Sequence, residues 1–138
     1  FVSTGHNVGC ALFDISSAKP VEIWRNKNMK TYLSTCVLWK GFLYGFDDRQ
    51  MTCMDWKSGE VKWSVPDLGL GSLIIADGKL IALTEKGTII TALATEKAYT
   101  KLGQIQILDG RCWAMPVLAD KHIYVRNAAG DVICLDVN

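Results

Sequence analysis

The chain contains no apolar run approaching the ~18 residues that cross a bilayer as a helix. It lacks a basic start followed by an apolar stretch, so no signal peptide is expected within it. No block of like charge occurs, and the formal net charge is +1, which leaves no electrostatic footprint for nucleic acid. Its five cysteines never fall at the C-x-x-C spacing of metal sites. Both histidines, His6 and His122, stand without a nucleophile or acid at recognisable spacing. Ser3, Ser16 and Ser34 lack the G-x-S-x-G context of a nucleophile elbow. No stretch of a dozen residues carries a 3.6-residue apolar period, so little or no helix is expected. Membrane spanning, nucleic-acid binding and the common hydrolytic chemistries all lose their sequence basis.

What remains is a repeat. Leu38-Trp39-Lys40-Gly41-Phe42-Leu43-Tyr44 matches Ile75-Ala76-Asp77-Gly78-Lys79-Leu80-Ile81, and then Leu118-Ala119-Asp120-Lys121-His122-Ile123-Tyr124. The copies begin 37 and then 43 residues apart. Downstream of each lies a second apolar strand, at residues 51–55, 88–93 and 132–136. Leu12-Phe13-Asp14 closes an equivalent strand earlier, and segments ending in Trp occur at Val21-Glu22-Ile23-Trp24 and before Trp63. Runs of Val, Ile, Leu, Tyr and Trp broken by Asp-Gly, Lys-Gly and Ser-Gly are strand-and-turn grammar. Asp77-Gly78 and Lys40-Gly41 read as tight hairpins, and Lys121 stands where the glycine belongs in the last copy.

A period of about 40 residues with four strands is that of propeller blades. The chain is therefore expected to be all-β: a partial β-propeller of about three to four blades, each of four antiparallel strands. As one domain spanning 1–138, it divides into a partial blade one (1–27), blade two (34–66), blade three (71–107) and a partial blade four (113–138). Blade one enters at its second strand and blade four stops at its third. Propellers protect strand edges by closing rings of about four to eight blades. An open arc leaves blade faces bare, which invites association. Two arrangements remove that cost: continuation in a longer chain, or a homo-oligomeric ring in which a second copy brings the total to eight.

The string Asp55-Trp56-Lys57-Ser58-Gly59-Glu60-Val61-Lys62-Trp63 resembles the tryptophan-docking motif of propellers related to pyrroloquinoline quinone (PQQ) dehydrogenases. Asp14 to Trp24 follows it with a longer, glycine-free turn; Tyr99 is expected in the Trp position of the third copy, and the fourth stops before its Trp. Within that family the chain is most similar to non-enzymatic, secreted or periplasmic bacterial repeat proteins, which implies a periplasmic or secreted localisation. In such proteins a last blade ending on a strand like Val132 to Asp136 borrows its fourth strand from the N-terminus. The quinone enzymes hold their cofactor on a Trp floor against a disulfide between adjacent cysteines, with calcium on Glu, Asn and Asp. Here Cys10, Cys36, Cys53, Cys112 and Cys134 are all separated, so the resemblance carries the fold and not the cofactor site.

No catalytic, cofactor-binding or metal-binding residue is assigned, and no cofactor is expected. Trp24 and Trp63 are expected to dock on neighbouring blades, with Gly59 permitting the turn. Trp39, Trp56 and Trp113 are less committed; Trp39 and Trp56 flank turns and could form an aromatic partner site. Cys53 and Cys134 precede Met54-Asp55 and Leu135-Asp136, an equivalence that suggests inward-facing thiols acting as small apolar residues. Asp47-Asp48 sits in a turn; paired acids can bind calcium or do acid–base work, but adjacent acids more commonly make local turn bonds. Asp14, Asp55 and Asp136 recur at repeat positions and read as turn caps. The functional expectation is a non-catalytic propeller scaffold presenting loops or edges to a protein or peptide. The alternative is a fragment of a quinone-dependent oxidoreductase propeller whose active site lies outside this chain.

Overall fold

A computed structural model describes residues 1–137. Fourteen strands and no helix occur among them. They form four antiparallel sheets. Blade one holds β1 (Val2–Thr4), β2 (Gly9–Asp14) and β3 (Val21–Asn26); blade two holds β4 (Val37–Trp39), β5 (Phe42–Asp47), β6 (Gln50–Asp55) and β7 (Val61–Val65). Blade three comprises β8 (Gly71–Ala76), β9 (Lys79–Thr84), β10 (Thr88–Leu93) and β11 (Lys101–Gln106), and blade four β12 (Val117–Ala119), β13 (His122–Arg126) and β14 (Val132–Asp136). Each sheet is a meander in which sequence neighbours pair. The expected all-β propeller arc is the observed fold.

The first hairpin of blades two, three and four uses one turn. Lys40-Gly41, Asp77-Gly78 and Asp120-Lys121 all place both central residues at positive φ, the primed geometry that suits twisted strands. Lys121, at φ 60°, keeps the turn without glycine, at a steric cost of about 1 kcal/mol. A second shared device is a bulge between the third and outermost strands. It falls between Leu12 and Phe13, Cys53 and Met54, and Thr91 and Ala92, the same strand position in three blades.

Because side chains alternate along a strand, each sheet presents one face to the blade before it and one to the blade after. Leu43 and Met54 pack with Cys10 and Met29 toward blade one. Tyr44, Phe46, Met51 and Cys53 turn the other way and meet Leu73, Leu80, Ala82, Ile90 and Ala92 of blade three. Ile81, Leu83 and Ile89 meet Ile123 and Val125 of blade four. The core is thus three seams between blades, and β5 and β9 read as continuous apolar runs because both of their faces are covered.

A buried polar residue ends or directly follows the second strand of each of the last three blades: Asp47, Thr84 and Asn127. Asp47 Oδ1 accepts from the Lys30 backbone N–H at 2.8 Å, Thr84 Oγ1 from that of Thr88 at 3.2 Å, and Asn127 Oδ1 from that of Asp131 at 2.9 Å. Asn127 Nδ2 also donates to the Asp109 carbonyl at 3.0 Å, tying a turn to the segment entering the blade.

Candidate functional surface

The seams fix the blades relative to one another, and two of them carry a docked indole. Trp24 Nε1 donates to the Trp56 carbonyl at 3.3 Å, and Trp63 Nε1 to the Thr95 carbonyl at 2.8 Å, each on the following blade. Gly59 makes the first dock possible. A Cβ there would lie 3.0 Å from Trp24 Cε3 and 2.5 Å from Asn26 Nδ2, and its φ of 72° suits glycine. Docking of Trp24 and Trp63 is as expected.

The third copy differs from expectation. Leu12 pairs with Trp24 and Cys53 with Trp63, but the equivalent Thr91 pairs with Gly103. Gly103 therefore occupies the Trp position, and Tyr99, which precedes β11, stacks on Trp63 at 5.7 Å. The seam between blades three and four is aliphatic, without an indole. The remaining tryptophans also separate. Trp56 packs in the first seam, with Phe1 6.4 Å away. Trp39 packs against the second seam, its buried Nε1 without an acceptor. Trp113 is 44% exposed, with the Arg111 guanidinium 4.5 Å over its ring.

The polar residues singled out in the sequence have local partners. Buried Asp47 ion-pairs with Lys30 Nζ at 3.1 Å and accepts from Gln50 Nε2 at 2.7 Å; Asp48 reaches the same Lys30 at 3.5 Å. Among the described residues, no three His, Cys, Asp or Glu side chains are grouped so as to hold a metal ion. Asp55 Oδ1 accepts from the backbone N–H of Lys57 and Ser58, Asp14 Oδ1 from that of Ser16, and these bonds hold both carboxyls below their ordinary pKa. Ser3 Oγ donates to the Met29 carbonyl at 2.8 Å. His6 stacks edge-on to Tyr32, and His122 Nδ1 lies 2.6 Å from the Asp120 carbonyl oxygen.

All five cysteines are free thiols. Burial pushes Cys53 up to about 11 and Cys36 up to about 12, the latter packed against Gly45, so both are protonated at neutral pH. Cys134 corrects an expectation. It is the strand equivalent of Cys53, pairing with Tyr124 as Cys53 pairs with Tyr44, yet it is exposed. Its side chain points the same way; what it lacks is a covering sheet.

That difference defines the surface of interest. On blade four the positions equivalent to Val37, Tyr44, Phe46, Met51 and Cys53 are Val117, Tyr124, Arg126, Val132 and Cys134. Val132 is 67% exposed, Val117 56% and Tyr124 40%. Hydrogen bonding to the Cys134 thiol raises the Tyr124 hydroxyl above its usual pKa. Arg126 and Arg111 line a depression of about 300 Å³ with Trp113, Ala114, Asn127 and Ala128. It adjoins an apolar hollow lined by Met115, Val117, Tyr124 and Val132. Neither Arg111 nor Arg126 is ion-paired among the described residues. Together these form an apolar floor with a cationic rim. In the sequence, a bare face follows from the open arc, and the residues on it follow from the strand alignment extended from Cys134 to its neighbours on the same face.

No protein-family model matches the chain, and no curated protein sequence matches it. Solved structures do. BamB from Moraxella catarrhalis superposes with a TM-score of 0.69 at 14% identity over 90% of this chain and 36% of its own. A chain of a mitotic checkpoint complex gives 0.69 at 14% identity, covering 85% of this chain and 40% of that one. A europium-containing methanol dehydrogenase gives 0.59 at 17% identity, covering 76% and 23%. At these identities the likeness is one of fold. The chain spans well under half the length of each.

Proposed function

We propose that this chain is a non-catalytic propeller scaffold that binds a protein or peptide partner. The observation that carries this reading is the outward face of blade four. Its apolar side chains, exposed beside Trp113 and Met115, repeat a pattern that blade two buries against a neighbouring sheet. Contiguous apolar surface rimmed by polar groups marks interaction sites, and aromatic and Arg side chains are the residue types that anchor them. Docked indoles at two seams make the arc rigid enough to present that face in one geometry. The tryptophan-docking string and the likeness to BamB support a place among PQQ-like repeat propellers of the non-enzymatic, extracytoplasmic kind.

Likeness to a methanol dehydrogenase keeps an oxidoreductase fragment as the rival reading. Titrating the purified chain with pyrroloquinoline quinone and calcium, followed by absorbance, separates the two. The scaffold reading expects no saturable spectral change. Saturable binding with a shifted quinone band would replace it with the oxidoreductase.

A further inference from the structure

We infer that the outer edge of β11 is a strand-addition site, taking an extended partner segment that offers an apolar side chain to Leu102 and a carboxylate to Lys101. The inference rests on the scaffold reading and gives it a site apart from the outward face of blade four.

β11 pairs with β10 on one side, and no strand pairs with its other side. Further blades would stack on the faces of blades one and four, so this edge stays open whether or not the arc continues. Free edges template pairing with other chains, and proteins blunt them with charge, proline or bulges. The outermost strands of blades one, two and three share the bulge, so it does not set them apart. Charge does. β3 carries Glu22 and Arg25, ion-paired to each other. β7 carries Lys62, 3.8 Å from Glu60, and Pro66 follows it directly. β11 has a lysine at its first position, then neither charge nor proline from Leu102 to Gln106.

The contrast is sharpest at one position. Trp63 and Gly103 are equivalent, so Leu102, which is 50% exposed, stands where blade two has Lys62. Blade one has Ile23 there, but with Glu22 beside it. Lys101 differs too. Its Nζ donates to the neutral Gln104 Oε1 at 3.0 Å and is not ion-paired among the described residues, whereas Arg25 and Lys62 each hold a glutamate. In strand addition the main-chain hydrogen bonds supply affinity, and the side chains along the added strand select sequence. Here the selection is for an apolar residue and an acid. A second copy is the poorer occupant, because β11 has no carboxylate of its own to offer Lys101.

Two heptapeptides of alternating Thr and Val, one with Glu at both ends and one with Gln, test this against the isotopically labelled full chain. Each reads the same in both directions, so strand orientation does not matter. In amide NMR titrations the shifts are expected in β11 and β10, with the Glu-ended peptide binding about threefold more tightly. That preference should vanish in a Lys101→Gln chain. Leu102→Lys, which gives β11 the residue of β7, should weaken the Gln-ended peptide. Methylating alternate backbone nitrogens of the Glu-ended peptide should abolish its binding. Shifts confined to other strands, equal affinity for the two peptides, no binding, indifference to Leu102→Lys, or binding that survives methylation would overturn the inference. So would β11 shifts that grow with chain concentration in the absence of peptide, since a second copy would then be the occupant. Quinone binding overturns the scaffold reading itself. Failure of the peptides without quinone binding overturns only the strand-addition site.

Discussion

Blades two and four carry the same cross-strand pair, Tyr44 beside Cys53 and Tyr124 beside Cys134, in the same register. One pair is sealed and the other is wet. Strand alternation decides which way a side chain points, whereas burial belongs to whatever lies across from it. The repeat therefore supplies an internal control. Identical local chemistry is read once with a neighbouring sheet and once without.

The largest consequence concerns the tyrosines. Tyr44→Ala removes a buried ring packed against Trp63 at 6.0 Å and should cost about 3–5 kcal/mol. Tyr124→Ala should cost under about 1 kcal/mol, because its ring is already partly solvated. Urea unfolding of both variants measures the contrast. Similar losses would mean that the blade-four face is covered in solution.

The cysteines give the same comparison kinetically. With a thiol-reactive dye at pH 8, Cys134 should label at least a hundredfold faster than Cys53, whose pKa of about 11 and complete burial both withhold the thiolate. A Cys134→Ser chain should label only slowly until denaturant opens the seams. Rapid labelling of the Cys134→Ser chain would show that at least one of the seams, which hold the other four thiols, breathes.

Hairpins and indole positions could be read from sequence because each carries a local signature: Asp77-Gly78 states its turn and Asp55 to Trp63 its string, although Gly59 makes room for Trp24, 35 residues earlier in the chain. What escaped reading depended on register or on neighbours. Tyr99 looked like the third docking residue because it is the aromatic residue of that copy; the longer connection from Leu93 to Lys101 leaves it ahead of β11, and pairing places Gly103 there instead. Asp47 reads from sequence as a turn-bonding acid, and its bonds from Lys30 N–H and Gln50 agree. Only with Thr84 and Asn127 beside it does it become the capping residue of a second strand. A bare terminal face follows from the open arc read in the sequence, whereas the replacement of Phe46 by Arg126 on it emerges only once the strands are aligned by register.

Turn chemistry provides a smaller test. Lys121 holds φ 60° in a turn that glycine completes elsewhere. Lys121→Gly should stabilise the chain by about 1 kcal/mol through relief of that strain, partly offset by the freer unfolded chain. The same change at Asp77, which accepts an ion pair from Lys79 at 2.7 Å, should gain less.

The smallest effect tests the seam without an indole. A Cβ on Gly103 would meet only Thr91 Oγ1, at 3.5 Å, and Gly103 is not among the positive-φ glycines. Gly103→Thr should therefore stabilise blade three by about 0.5 kcal/mol, through lower unfolded-state entropy and better strand propensity. Gly59→Thr is the counterpart where an indole is docked, and there the clash with Trp24 and Asn26 makes the sign negative. Opposite signs at these two glycines would establish that blade three dispenses with the docking device and relies on Leu83, Ile89, Ile123 and Val125 to hold its neighbour. Equal destabilisation would instead mean that space at Gly103 is filled from blade four, and that the third seam is tighter than its aliphatic contacts imply.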